Sequence, residues 1–128
     1  MKKIIASLLT ALVICAAAAT ASAAETPGSV IHVVTVAWKK DATPEQIQAA
    51  LDGVKALADS YPGITRVWVK SIKVQNPPGT EIPRTAAFVM EFKDEQALKD
   101  YADSAAQKKW YEVYLPVRDQ STTHDITN

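Results

Sequence analysis

Cysteine is nearly absent: the only thiol in 128 residues is Cys15. It lies in an N-terminal stretch that reads as a leader. The chain beyond that stretch has no disulfide, thiol nucleophile or thiolate metal ligand. Glycine occurs four times, never in a run that could cradle a phosphate, and there is no nucleophile elbow or zinc-protease helix. Histidine occurs twice, as His32 and His124. Two such residues far apart, without a nearby carboxylate motif, are a weak metal signal, and no metal or cofactor is expected. Excess charge is missing too, with 14 basic against 14 acidic residues. That balance provides no basic stripe for nucleic acid. No internal repeat, low-complexity tract or linker interrupts the chain.

What is there begins with the leader. Met1-Lys2-Lys3 is a basic start, Ile4 to Ala19 is apolar and alanine-rich, and Ala21-Ser22-Ala23 places small residues at cleavage offsets. This is the order of a secretory signal peptide. The alternatives are a retained membrane anchor and a lipoprotein cysteine. Few large apolar residues and no basic stop follow Cys15, and Ile14 stands where a lipoprotein motif wants a small residue. Residues 1–23 are therefore expected to be cleaved and residues 24–128 to form a single periplasmic or secreted domain, with no membrane contact after cleavage. Cleavage leaves 105 of the 128 residues and removes two lysines, so 12 basic residues face 14 acidic ones. A chain of this length can bury a core without covalent help, but not a generous one.

After a polar lead at Glu25 to Gly28, the residues alternate between two periods. Val30 to Trp38 reads as a strand that is apolar at nearly every position, so both its faces want cover. Thr43-Pro44-Glu45-Gln46 starts a helix, with Thr43 as N-cap, Pro44 at the first helical position and Gln46 completing a capping box. Its apolar stripe is Ile47, Leu51, Val54, Leu57 and Tyr61, and Pro62-Gly63 stops it near Ser60. Ile64 to Val74 is a second strand and residues 75–83, with three prolines, a loop. Arg84 to Phe92 is a third strand. Asp94 caps a second helix running to about Val117, with a possible break at Ser104-Ala105. Thr122 to Thr127 is a short last strand. The order β-α-β-β-α-β is the ferredoxin-like α+β arrangement, with an antiparallel sheet.

Both helices follow right-handed crossovers and so cover one face of that sheet. Ala86, Phe88, Met90 and Phe92 belong under them, with His32, Val34, Val36 and Trp38 from the first strand. The opposite face then carries Ile31, Val33, Thr35, Ala87, Val89 and Glu91. Such an apolar patch is one that soluble monomers avoid, and two sheets packed face to face would bury it. Glu91 in that interface needs a cationic partner, which Arg66 or Lys70 can supply.

These residues resemble the stress-responsive A/B barrel (Dabb) family of dimeric α/β barrels. The resemblance is carried by His32-Val33-Val34, Pro62-Gly63, Val89-Met90-Glu91-Phe92-Lys93-Asp94 and Leu98-Lys99-Asp100-Tyr101. It implies a homodimer closed by sheet-on-sheet contact. It also implies a pocket between sheet and helices, used in plant relatives for polyketide cyclisation. The family's His-Pro-x-His run reads here Ser104-Ala105-Ala106-Gln107. Gln107 thus stands where the cyclase histidine would be, and an amide cannot shuttle a proton.

The expected pocket residues are His32, Val34, Val36, Phe88, Tyr101, Gln107 and Trp110, with His32 and Tyr101 as candidate catalytic groups. His32 is a candidate because histidine is a common general acid or base. Equally, it can be a structural histidine hydrogen-bonded at a strand start, with no second acid or base identified beside it. Tyr101, Trp110, Tyr111 and Tyr114 can line a site for a flat ligand or simply pack as core. Of Tyr111 and Tyr114, at least one is expected to face solvent or the partner chain. Three functions fit: a homodimeric binder of a small apolar or aromatic molecule, a cofactor-independent enzyme using His32 and Tyr101, or an inert structural stress-response dimer. A large sheet–helix pocket separates the first two from the third. A titratable pair inside that pocket separates the second from the first.

Overall fold

The structure is a computed structural model that describes residues 29–69 and 74–127. The proposed signal segment, the lead through Gly28, Lys70 and Asn128 lie outside the described residues. The elements run β1 (Val30–Trp38), α1 (Pro44–Ser60), β2 (Ile64–Val69), β3 (Ala86–Phe92), α2 (Glu95–Tyr101), α3 (Ala105–Tyr114) and β4 (Arg118–Ile126). They form one four-stranded sheet in the order β2-β3-β1-β4, with every neighbouring pair antiparallel. This is the ferredoxin-like α+β fold expected from the order of elements.

Local chemistry explains the boundaries. Thr43 Oγ1 accepts from Gln46 N at 3.3 Å, and Thr43 N donates to Gln46 Oε1 at 2.9 Å, closing the capping box of α1. Asp94 caps α2 by accepting from Ala97 N at 2.7 Å. The second helix is interrupted rather than continuous. Asp103 adopts a left-handed conformation (φ 66°), and Ser104 then caps α3 by accepting from Gln107 N at 3.1 Å. An aspartate tolerates that conformation better than most residues.

Four boundaries differ from the sequence reading, the first being the end of α3 at Tyr114 rather than at about Val117. β3 begins at Ala86 because Arg84 is held in the preceding loop: its N–H donates to Asn76 Oδ1 at 2.7 Å. The described part of β2 ends at Val69, and Val74 lies in irregular chain. β4 starts at Arg118, four residues earlier than expected, because β1 is long enough to pair with it from Ile31 to Trp38.

The helices cover one face. Val30, Val34, Val36, Phe88, Met90 and Phe92 from the sheet meet Ala50, Val54, Leu57, Ala97, Tyr101, Trp110 and Tyr114 from the helices. A methyl group added at Gly53 would meet Trp110 Cδ1 at 2.7 Å, so the missing side chain is what lets the indole lie against α1. Among the described residues no helix covers the other face. Ile31, Val33, Thr35, Ala87 and Val89 lie on it, each half-buried among its neighbours. Trp68, opposite Val89, is 46% exposed there, and Ile126, opposite Ile31, is 54% exposed.

Glu91 is a buried acid on that face. Its Oε1 accepts from Ser29 Oγ at 2.6 Å, and Arg66 Nε lies 2.7 Å from its Oε2. The contact with Arg66 is an ion pair whose N–H is not aimed at the oxygen. The Ser29 hydroxyl, Thr65 and Arg66 together hold the Glu91 carboxyl below the usual glutamate range, against the opposing effect of burial.

Candidate functional site

A cavity of about 320 Å³ lies between the sheet and the α2–α3 pair. Its apolar wall includes Val34, Phe88 and Met90 from the sheet and Leu98, Tyr101, Trp110, Tyr111 and Tyr114 from the helices. Its polar wall is largely one strand: Arg118, Ser121, Thr123 and Asp125 of β4 line it, together with His32 of β1 and Gln107 of α3.

Six of the seven expected pocket residues, His32, Val34, Phe88, Tyr101, Gln107 and Trp110, line this one cavity. Val36 does not. It is fully enclosed in the core, because the cavity runs beside β4 and the helices close over Val36 before reaching it.

The aromatic rings form a continuous set. Trp110 stacks on Tyr114 with centroids 4.3 Å apart, and Phe88 meets Trp110 edge-on at 5.6 Å. Trp110 Nε1 donates to Ala50 O at 3.0 Å, pinning α3 to α1. Tyr111 lies 5.3 Å from Trp110 and is half-buried, whereas Tyr114 is 3% exposed. At the far end Tyr101 leans on Phe92 at 5.2 Å and is also 3% exposed.

His32 has an acidic partner that sequence reading missed. Its Nδ1 lies 2.6 Å from Asp125 Oδ1, and the two residues face each other in the β1–β4 register. With the proton on Nδ1, His32 donates to the carboxylate and Nε2 is left as the acceptor nitrogen. The missing signal was the register of β4. Asp125 was visible as a strand residue, but no local feature said that it stood opposite His32. Arg118, Ser121 and Thr123 were missed for the same reason.

The other polar groups have little to satisfy them. The hydroxyls of Tyr101 and Tyr114 and the Nε of Arg118 are buried without a hydrogen-bond partner among the described residues. Burial pushes the Tyr101 hydroxyl far above the usual tyrosine range. Burial likewise raises Tyr114, partly offset by Ser121 and Arg118 beside it, neither of which reaches full hydrogen-bond geometry. Gln107 Oε1 accepts from Asp103 N at 2.9 Å. Gln107 therefore braces the break between α2 and α3. Among the described residues no group of three or more His, Cys, Asp and Glu side chains comes together to hold a metal ion.

A split-βαβ sheet with one apolar face free of helices among the described residues, and a pocket under the helices on the other, defines a ferredoxin-like α+β domain. Residues 30–128 match the Stress Responsive A/B Barrel Domain (Dabb), and the chain belongs to that family. Solved structures share the fold. A Dabb family protein with a ferredoxin-like fold from Mesorhizobium loti is 19% identical, with 78% of this chain and 96% of that one covered at a TM-score of 0.62. A dimeric protein of unknown function from Bacteroides fragilis is 19% identical (81% and 100% covered, TM-score 0.60). A hydroxynitrile lyase from Passiflora edulis is 16% identical (78% and 94% covered, TM-score 0.63). No curated protein matches the sequence significantly.

Proposed function

We propose that the protein is exported, forms a homodimer through the helix-free face of its sheet, and binds a small apolar or aromatic molecule in the sheet–helix cavity of each subunit. One observation carries the binding reading: a cavity of about 320 Å³ with an aromatic wall facing a polar one. An inert core would close such a space, because unfilled volume forfeits packing contacts. Sites for small ligands have this composition, largely apolar with a few convergent polar groups. The dimer reading is supported by the half-buried row Ile31, Val33, Ala87 and Val89 and by relatives described as dimeric.

Native mass spectrometry of protein purified from a periplasmic extract tests all three parts. The expected species is twice the mass of a chain beginning at Ala24, plus a retained small molecule per subunit. An uncleaved Met1 terminus, a single-chain mass, or a bare mass that no added aromatic compound shifts would each remove one part.

A second reading, a cofactor-independent enzyme, is favoured by the His32–Asp125 pair in the cavity wall. A carboxylate orienting an imidazole is a recurring acid–base arrangement, and a lyase occurs among proteins of this fold. Were a substrate turned over, His32→Ala would abolish turnover. Asp125→Asn would lower kcat by about tenfold or more, since general acid–base catalysis contributes at least that much. Turnover indifferent to both changes would place the chemistry elsewhere.

A further inference from the structure

The cavity wall carries one cation, Arg118, and among the described lining residues one acid, Asp125. The carboxylate of Asp125 is taken by His32 at 2.6 Å. Of the fully buried side-chain atoms of its lining residues, the two tyrosine hydroxyls and Arg118 Nε have no hydrogen-bond partner among the described residues. Burial holds both hydroxyls in their neutral, proton-bearing form. Arg118 makes no ion pair with an acidic residue among those described. Its guanidinium lies over the Tyr114 ring, 5.6 Å from the centroid, and its Nη1 donates to Ser121 Oγ at 3.4 Å.

Arg118 also stands apart from the one acid in the wall. It pairs with Trp38 at one end of the β1–β4 ladder, and Asp125 pairs with His32 near the other. At roughly 3.3 Å per residue the two backbone positions are about 20 Å apart along the strand. Asp125 therefore does not neutralise the guanidinium. The corner formed by Arg118, Tyr114 and Ser121 carries positive charge and lines an aromatic-walled space.

We propose that the molecule bound in this cavity carries an anionic oxygen group, a carboxylate on an aromatic or apolar body, and that the Arg118–Tyr114–Ser121 corner receives it. The proposal rests on the binding reading above and narrows it to a chemical class. Arg118 is half-buried, and a guanidinium partly withdrawn from water without an acid beside it favours an anionic partner. A carboxylate provides two acceptor oxygens that match its fork, and charge-assisted bonds of this kind are roughly twice as strong as neutral ones. The ring stack formed by Trp110 and Tyr114 would hold the flat body.

The experiment compares two probes of nearly equal shape, 2-naphthoate and 2-naphthamide, by isothermal titration calorimetry on the exported protein. Naphthoate is expected to bind at least about tenfold more tightly than the amide, the span of one charge-assisted bond. Arg118→Gln is expected to erase that preference, bringing the naphthoate affinity down to that of the amide. Arg118→Lys, which keeps the charge and loses the fork, should restore part of it. Equal affinity for the two probes, or a preference that survives Arg118→Gln in a variant with native circular dichroism, overturns the anion assignment and leaves the binding reading standing. If neither probe binds, both fall. The wild-type comparison decides the matter even where a variant fails to fold.

Discussion

Val33→Lys is expected to convert a dimer into a folded monomer, read by sedimentation velocity at micromolar concentration. Val33 sits in the middle of the helix-free face, opposite Val89 of β3 on one side and His124 of β4 on the other. In the isolated subunit this position borders solvent, so a lysine there can reach water and the subunit itself tolerates it. In a sheet-to-sheet contact the same ammonium would be desolvated without a partner. That costs several kcal/mol per site, and a symmetric interface counts it twice. The signature is thus selective: unchanged circular dichroism with a halved mass. A native protein that already sediments as a monomer, or a variant that remains dimeric, would show that another surface closes the assembly.

The second large effect concerns Trp110. Its indole stacks on Tyr114, receives the edge of Phe88, touches Tyr111 and ties α3 to α1 through Ala50 O. Truncation removes all of these contacts and enlarges a cavity that already exists, so the surroundings have little means of collapsing onto the gap. Trp110→Ala is expected to cost about 3–5 kcal/mol, a large share of the roughly 5–15 kcal/mol that holds a domain together. Urea denaturation should show a lower midpoint with an unchanged slope. Trp110→Phe, which keeps a ring and loses the hydrogen bond to Ala50, should recover most of the loss. A cost below about 1 kcal/mol for the alanine variant would mean that α3 is held to α1 by other contacts.

Much of the site was legible because period-2 parity is strict. Once Phe88 and Met90 were assigned to the helix side, the alternation of β1 put His32 and Val34 beside them, and helical spacing brought Tyr101 and Trp110 over the same face. Val36 obeys the same parity and still falls outside the cavity. Parity says which face a residue occupies, not where along the strand the helices cease to fill the space above it.

The sequence by itself determined the order of elements, the capping of α1, the sharing of one sheet face by the helices, and the bare apolar face opposite. These follow from local propensity and short-range periodicity, which each segment carries within itself. Pairing across the sheet belonged to the tertiary structure. The β1–β4 register set Asp125 against His32 and brought Arg118, Ser121 and Thr123 into one wall. A slip of one residue would have turned all of them to the other face. β2 makes the same point. An irregularity in register between Ile64 and Arg66 keeps Ile64 under the helices and turns Arg66 and Trp68 to the open face. No local pattern in Ile64 to Val69 announces that shift, because a bulge is stabilised by what the partner strand offers: here, the Glu91 carboxylate that Arg66 meets.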